Sequence, residues 1–171
     1  MDEPSQGPRG SIRFLYADDT VSTAQSGPLC IVVWRGAVTP APFERQRAAL
    51  AEVVEQHASG VAFVCVVEAT AKAPNDELRR ASGEMVMSHG DKIKCVAVII
   101  EGEGFGAAVA RAALTSMVLL ARPLKAPLSV FGRADAAARW MAKHIRLDHP
   151  DDLPSLVERV RARMPAPTAH R

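Results

Sequence analysis

Three uninterrupted runs of apolar residues constrain the fold of this 171-residue chain more than any other feature. They are Leu29–Trp34, Val61–Val67 and Cys95–Ile100, and each is short, rich in β-branched residues and bounded by charged or turn-forming residues. A strand without alternation of apolar and polar residues is covered on both faces, as in the interior of a parallel sheet. Helical patterns separate the runs, so the sequence predicts an α/β domain with right-handed crossovers.

The pattern around these runs predicts a single domain over residues 11–164. The flanking stretches 1–10 and 165–171 contain several proline residues among polar ones, so we expect both to be flexible tails. Residues Ile12–Tyr16 predict an edge strand with one face partly exposed, whereas Asp18–Pro28 is predicted to be a loop. The opening strand is therefore expected to pair antiparallel with the apolar strand that follows the loop.

Further patterns complete the predicted architecture. A short strand is expected at Leu128–Phe131, which two prolines precede and a glycine follows. The spacing of apolar residues predicts helices over about 40–58, 75–89, 105–121, 134–145 and 153–164. The expected fold is an α/β domain with a mixed, mostly parallel sheet of about five strands and helices packed on it.

Composition and charge are those of an ordinary globular protein. Hydrophobic residues make up 48% and charged residues 23% of the chain, and the formal net charge is +2. Acidic and basic residues are interleaved, so we expect no basic face of the kind that binds nucleic acid. The start of the chain, Met1–Pro4, carries acids where a secretory signal is basic, which predicts a cytoplasmic protein. Single, widely spaced Cys30, Cys65 and Cys95 are interpreted as buried, reduced thiols.

The predicted helix 105–121 is unusual because its only charged residue is Arg111. A surface helix normally keeps a polar stripe, so this helix is either covered within the chain or offers an apolar face to something else. Such a face would meet a second copy in a homodimer, a partner protein, an apolar ligand or a membrane surface. The helix is too short to span a bilayer. The side chains predicted to form the face are Phe105, Val109, Met117 and Leu120.

Four motifs mark the order of elements between Leu29 and Ile145. They are an apolar strand ending in W-R-G and followed by V-T-P-x-P-F, the strands VAFVCVVE and IKCVAVII, and the closing segment VFGRADAAARWM. This order resembles the STAS-like fold, in particular the group similar to bacterial anti-sigma-factor antagonists. In that group the last strand likewise ends in Val-Phe, and the next helix carries an Ala and then an aromatic residue. The resemblance implies a regulatory protein that binds a protein or a small ligand and catalyses no reaction.

The resemblance also draws attention to the loop after the central strand. In the antagonists, a serine in an Asp-Ser-Ser-Gly-like motif at the start of the following helix is phosphorylated and switches partner binding. This chain reads PNDEL at Pro74–Leu78, so the phosphorylation switch is not expected. Thr70 is either a substitute phosphate acceptor or, more simply, a turn residue. The predicted partner-contact residues are Thr70, Lys72, Asn75, Asp76 and Glu77.

Two other kinds of site compete with this hypothesis. Gly102–Ala107 fits G-x-G-x-x-A, the local pattern of a dinucleotide fingerprint, but Glu101 and Glu103 would repel a pyrophosphate. No histidine forms an i, i+4 pair with another histidine or a cysteine, so we expect no metal site, and neither a catalytic residue nor a cofactor is expected. Three functions stay open: a STAS-like regulatory interaction module, a protein that binds an apolar ligand or a membrane surface through helix 105–121, and a small nucleotide-binding enzyme.

Overall fold

The computed structural model describes residues 11–104, 107, 111 and 125–166. Within them, six strands form one sheet: β1 Arg13–Ala17, β2 Val21–Ser26, β3 Leu29–Trp34, β4 Val61–Val67, β5 Ile93–Ile100 and β6 Leu128–Phe131. Their order in the sheet is their order in the chain. β1, β2 and β3 pair antiparallel, whereas β3, β4, β5 and β6 pair parallel. The parallel strands therefore all end at one edge of the sheet, which we call the carboxyl edge.

The predicted α/β domain with a mixed sheet is confirmed, but two details of the sheet are wrong. The described sheet has six strands instead of about five, because the predicted loop Asp18–Pro28 contains β2. The sequence of β2, VSTAQS, is small and polar, yet all of its residues are buried. Since β2 lies between β1 and β3, the opening strand and the strand Leu29–Trp34 are not antiparallel neighbours. Both pair antiparallel with β2 and so run in the same direction.

The described residues include four α-helices, two on each face of the sheet: α1 Pro40–Gln56, α2 Asp76–Met87, α3 Ala134–Met141 and α4 Leu153–Arg161. Short 3-10 turns, Gly90–Lys92 and Pro150–Asp152, lead into β5 and α4. The predicted helix 105–121 lies outside the described residues, apart from positions 107 and 111. Within the described part of the chain, no helix combines the length and the apolar character needed to cross a membrane.

The core consists of two apolar layers, one on each face of the sheet. Alternation along β3 directs Cys30, Val32 and Trp34 toward α1 and α2. The intervening residues Leu29, Ile31 and Val33 pack toward α3 and α4. Burial of each large apolar side chain contributes roughly 1.5–3 kcal/mol. The sheet is thus held between two helical layers, and its carboxyl edge is where the chain leaves β3, β4, β5 and β6.

Candidate functional site

A network of ion pairs lies along the carboxyl edge. Arg35 follows β3, Glu68 follows β4 and Glu101 follows β5, while Arg161 reaches the same edge from the last turn of α4. The Glu68 carboxylate accepts hydrogen bonds from Arg35 Nε at 2.9 Å and from Arg161 Nε at 2.7 Å. Arg161 Nη2 donates to Glu101 Oε1 at 2.6 Å, and its Nη1 donates to Glu158 in α4. We call these five residues the carboxyl-edge network.

The central members of this network are largely shielded from solvent. The exposed fraction of the side chain is 12% for Glu68, 18% for Arg35 and 21% for Arg161. Opposite charges attract each other more strongly at such partly buried positions than in water. Burial lowers the pKa of Arg161, but the neighbouring carboxylates, with Glu101 first, outweigh burial and raise that pKa above its ordinary value. Arg161 is therefore a permanent cation, and its removal would leave several carboxylates without their common partner.

The loop between β4 and α2, residues 68–75, begins within this network. Its backbone is tied to the chain that follows β3, because the Lys72 N–H donates to the Gly36 carbonyl at 3.3 Å. A parallel β-bridge forms at the same place. The Thr70 hydroxyl donates to the backbone carbonyl of Arg35 at 3.1 Å. These contacts fix the conformation of a loop whose side chains are mostly exposed.

The structure brings the predicted partner-contact residues together on this loop and the first turn of α2. All five are exposed: Thr70, Lys72, Asn75, Asp76 and Glu77. Besides Thr70 and Lys72, which bond to the chain after β3, two of them also have roles inside the chain. The Asn75 side chain accepts from the Leu78 N–H at 2.9 Å and caps α2, and Asp76 forms an ion pair with Arg79. Their part in binding a partner stays a prediction.

The other predicted sites lie wholly or partly outside the described residues. This holds for the whole predicted apolar face: Phe105, Val109, Met117 and Leu120. In the glycine-rich turn, Gly102 and Gly104 have φ of 117° and 88°, conformations that glycine adopts without strain. Arg111 Nη1 donates to the carbonyl oxygens of Ile100 at 3.2 Å and Gly102 at 3.4 Å. A side chain of the protein itself thus meets the carbonyl groups at the start of this turn.

An open cleft of about 420 Å³ lies at the same edge, beyond the ends of β5 and β6. Its walls come from the end of β5, the start of α3 and α4, and include Glu101, Arg133, Asp135, Ser155 and Glu158. Asp135 accepts from Arg133 Nε at 2.9 Å and from Arg139 Nη1 at 3.1 Å. The hydrogen bond from Arg133 is the main reason why the pKa of Asp135 is lowered. The charged walls of the cleft are therefore paired with groups of the same chain.

The three cysteines were predicted to be buried, reduced thiols, and no metal site was expected. Cys30 and Cys95 are buried as predicted, whereas Cys65 is only partly buried, and all three are free. Burial raises the pKa of each thiol to about 12, so the thiols are protonated at neutral pH. Among the described residues, no three His, Cys, Asp or Glu side chains are grouped so that they could hold a metal ion.

Sequence reasoning missed the carboxyl-edge network, although part of its signal is present in the sequence. Arg35, Glu68 and Glu101 each follow directly after an apolar run, and the carboxyl ends of parallel strands meet at one edge of a sheet. That rule would have brought the three residues together. No comparable signal identifies Arg161, because Arg159 and Arg163 flank it on the same helical segment and the sequence does not show which of them faces the strand ends.

No protein-family model, no curated protein and no solved structure matches this chain. The STAS-like resemblance therefore stays a prediction carried by the sequence motifs, beside an α/β fold that is described from the chain's own geometry.

Proposed function

We propose that this protein is a non-enzymatic regulatory module of STAS-like type that docks a partner protein. The docking surface is the β4–α2 loop together with the first turn of α2, and its contact residues are Thr70, Lys72, Asn75, Asp76 and Glu77. The observation that carries the proposal is the combination of exposed polar side chains with a loop backbone that is fixed to the chain after β3.

A loop that already holds its bound conformation loses less conformational entropy when a partner binds. Here the hydrogen bonds of Lys72 and Thr70 to the neighbouring chain supply that order before any partner arrives. The surface also carries charge of both signs, from the Lys72 ammonium and the carboxylates of Asp76 and Glu77. Charges at the rim of an interface orient the partner and raise the association rate.

Site-specific photo-crosslinking tests the location of the docking surface. A photoreactive amino acid is placed at Lys72, at Glu77 or, as a control, at Lys143, which is exposed after α3 in the opposite helical layer. We expect positions 72 and 77 to give the same discrete adduct in an extract of the source organism, and position 143 to give none. Equal adducts from all three positions, or none from 72 and 77, would contradict the proposal.

Affinity measurements with the purified captured protein test the role of the charges. The double substitution Lys72→Glu with Glu77→Lys inverts the charge pattern and should weaken binding about tenfold or more. Arg139→Gln, an exposed substitution on α3, serves as the control and should leave the affinity unchanged. Because all of these positions are exposed, the thermal midpoint should stay close to that of the wild type. An unchanged affinity in the double variant would remove these residues from the interface.

A further inference from the structure

We infer that Arg161 is the positioning residue of the docking loop. From the end of α4 it holds the β4–α2 loop through a relay of ion pairs, Arg161 to Glu68 to Arg35, and thereby couples the C-terminal helix to partner binding. The link to partner binding rests on the proposed function. The relay itself is a property of the chain and is measurable without a partner.

Glu68, the first residue of the loop, is the middle member of the relay. Its carboxylate is held by two guanidinium groups from different elements. Arg161 Nε donates to Oε1 at 2.7 Å, and Arg35 donates from Nε to Oε2 at 2.9 Å and from Nη2 to Oε1 at 3.4 Å. Paired, charge-assisted hydrogen bonds of this kind fix orientation as well as distance. The start of the loop is therefore anchored to the end of α4 and to the end of β3 at once.

Arg35 passes this anchoring on to the rest of the loop. Its backbone carbonyl accepts the Thr70 hydroxyl at 3.1 Å, and its backbone N–H donates to the Thr20 carbonyl at 2.9 Å. Its Nη1 also donates to the carbonyl of Pro165, shortly after α4, at 3.1 Å. The chain at the end of α4 thus contacts the relay twice, through the Arg161 side chain and through the Pro165 backbone.

Arg161 is not what holds α4 on the sheet. The helix is anchored by apolar side chains that are at most 5% exposed: Leu153, Leu156, Val157 and Val160. Loss of the guanidinium should therefore leave α4 in place and leave Glu68 held by Arg35 alone. The other two nitrogens of the guanidinium donate to Glu101 and Glu158. A lysine could not reproduce this, because a single ammonium lacks the planar fork that reaches three carboxylates.

Amide hydrogen exchange tests the relay directly. Arg161→Gln is compared with Arg139→Gln, a matched control because Arg139 also lies in the last turn of a helix and pairs with a carboxylate. We expect the Lys72 amide to exchange about tenfold faster in Arg161→Gln and at the wild-type rate in the control. The amides of β4 should keep their protection in both. An unchanged Lys72 amide, or an equal rise throughout β4, would overturn the inference.

Two further variants keep the test decisive if Arg161→Gln folds poorly. Arg161→Lys should loosen the loop to an intermediate degree. Glu101→Gln removes a negative charge beside Arg161 but keeps an amide oxygen that can accept from Nη2, and it leaves the contact to Glu68, so it should leave the Lys72 amide unchanged. If Glu101→Gln loosens the loop as much as Arg161→Lys does, the coupling does not pass through Glu68 and the relay is wrong.

The same variants separate the relay from the proposed function. Crosslinking from position 72 should fall severalfold in Arg161→Gln, in step with the faster exchange of the loop. If the loop loosens and the crosslinking yield is unchanged, the relay stands and the docking role of the loop fails. If the loop does not loosen, the relay fails whatever the crosslinking yield.

Discussion

Two interior strands, β2 and β4, are both buried but consist of opposite kinds of residue. β4 reads VAFVCVV and supplies apolar side chains to both layers of the core. β2 reads VSTAQS, and all six of its residues are buried. It lies between β1 and β3 and contacts α1 on one face and α4 on the other. The comparison shows that burial in this sheet follows from the position of a strand between its neighbours, and that residue polarity does not decide it.

The polar strand carries an energetic penalty that the apolar strand avoids. Ser22 Oγ and Thr23 Oγ1 are buried and find no hydrogen-bond partner among the described residues. Ser22 lies opposite Val33 in the layer toward α4, and Thr23 lies opposite Val32 in the layer toward α1. A buried hydroxyl without a partner costs about 1–3 kcal/mol by mutational measures. β2 is therefore held by its ladder hydrogen bonds and its neighbours, against the preference of these two side chains.

The largest expected effect on stability comes from truncating a buried side chain of β4. Phe63 is 3% exposed and packs in the layer below α1 and α2. Phe63→Ala removes most of a buried ring and leaves a cavity, so it should lower the free energy of unfolding by about 3–5 kcal/mol in urea titrations. Glu55→Ala, on the exposed side of α1, is the control and should change it by less than about 0.5 kcal/mol. If Phe63→Ala lowered the free energy of unfolding by an equally small amount, the side chains of β4 would not be a main source of core stability.

A substitution in β2 should have the opposite effect and raise the stability of the fold. Thr23→Val keeps the shape of the side chain and removes the unpaired hydroxyl, so we expect the free energy of unfolding to rise by about 1–2 kcal/mol. The reverse substitution Val32→Thr, at the position paired with Thr23, is the control and should lower the free energy of unfolding by a similar amount. If Thr23→Val destabilised the protein, the hydroxyl would have a partner such as a buried water, and the contrast with β4 would be lost.

The same contrast explains what could be predicted from the sequence. β3, β4 and β5 were predictable because an uninterrupted apolar run reports burial on both faces. The segment that forms β2 has no such signal, and small polar residues are typical of loops. Its strand conformation depends on pairing with β1 and β3 and on cover from α1 and α4, which are tertiary effects that override local preference.

The two parts of the candidate site also differ in how far they could be predicted from the sequence. The β4–α2 loop could be proposed from the sequence because it follows the central strand and because the predicted STAS-like resemblance implies a contact region there. The relay could not, because it joins Arg35, Glu68 and Arg161, and the last of these is 93 residues beyond Glu68 in the chain. Which arginine near the end of α4 meets the strand ends is decided by how the helix packs on the sheet.

The smallest expected effect concerns the turn through which the chain enters β2. Asp18 Oδ1 accepts from the N–H groups of Thr20 at 2.7 Å and Val21 at 2.8 Å, and Oδ2 accepts from the Tyr16 hydroxyl at 2.6 Å. Burial raises the pKa of Asp18, but these hydrogen bonds lower it by more, so the pKa lies below its ordinary value. The ionised carboxylate therefore stabilises the fold above the unfolded-state pKa of about 3.9, and this contribution is lost as the pH falls through the folded-state pKa.

Comparison of the wild type with Asp18→Asn measures this contribution. In urea titrations at pH 7, the wild type should be more stable by about 1 kcal/mol, and the difference should shrink as the pH falls below about 4. As the pH falls, protection against amide exchange should be lost first in β1 and β2, while β4 keeps its protection. That outcome would show that the polar strand depends on an ionised group at its start, whereas the apolar strand does not. A difference that stays constant from pH 7 to low pH would mean that ionisation of Asp18 contributes nothing to the stability of the fold.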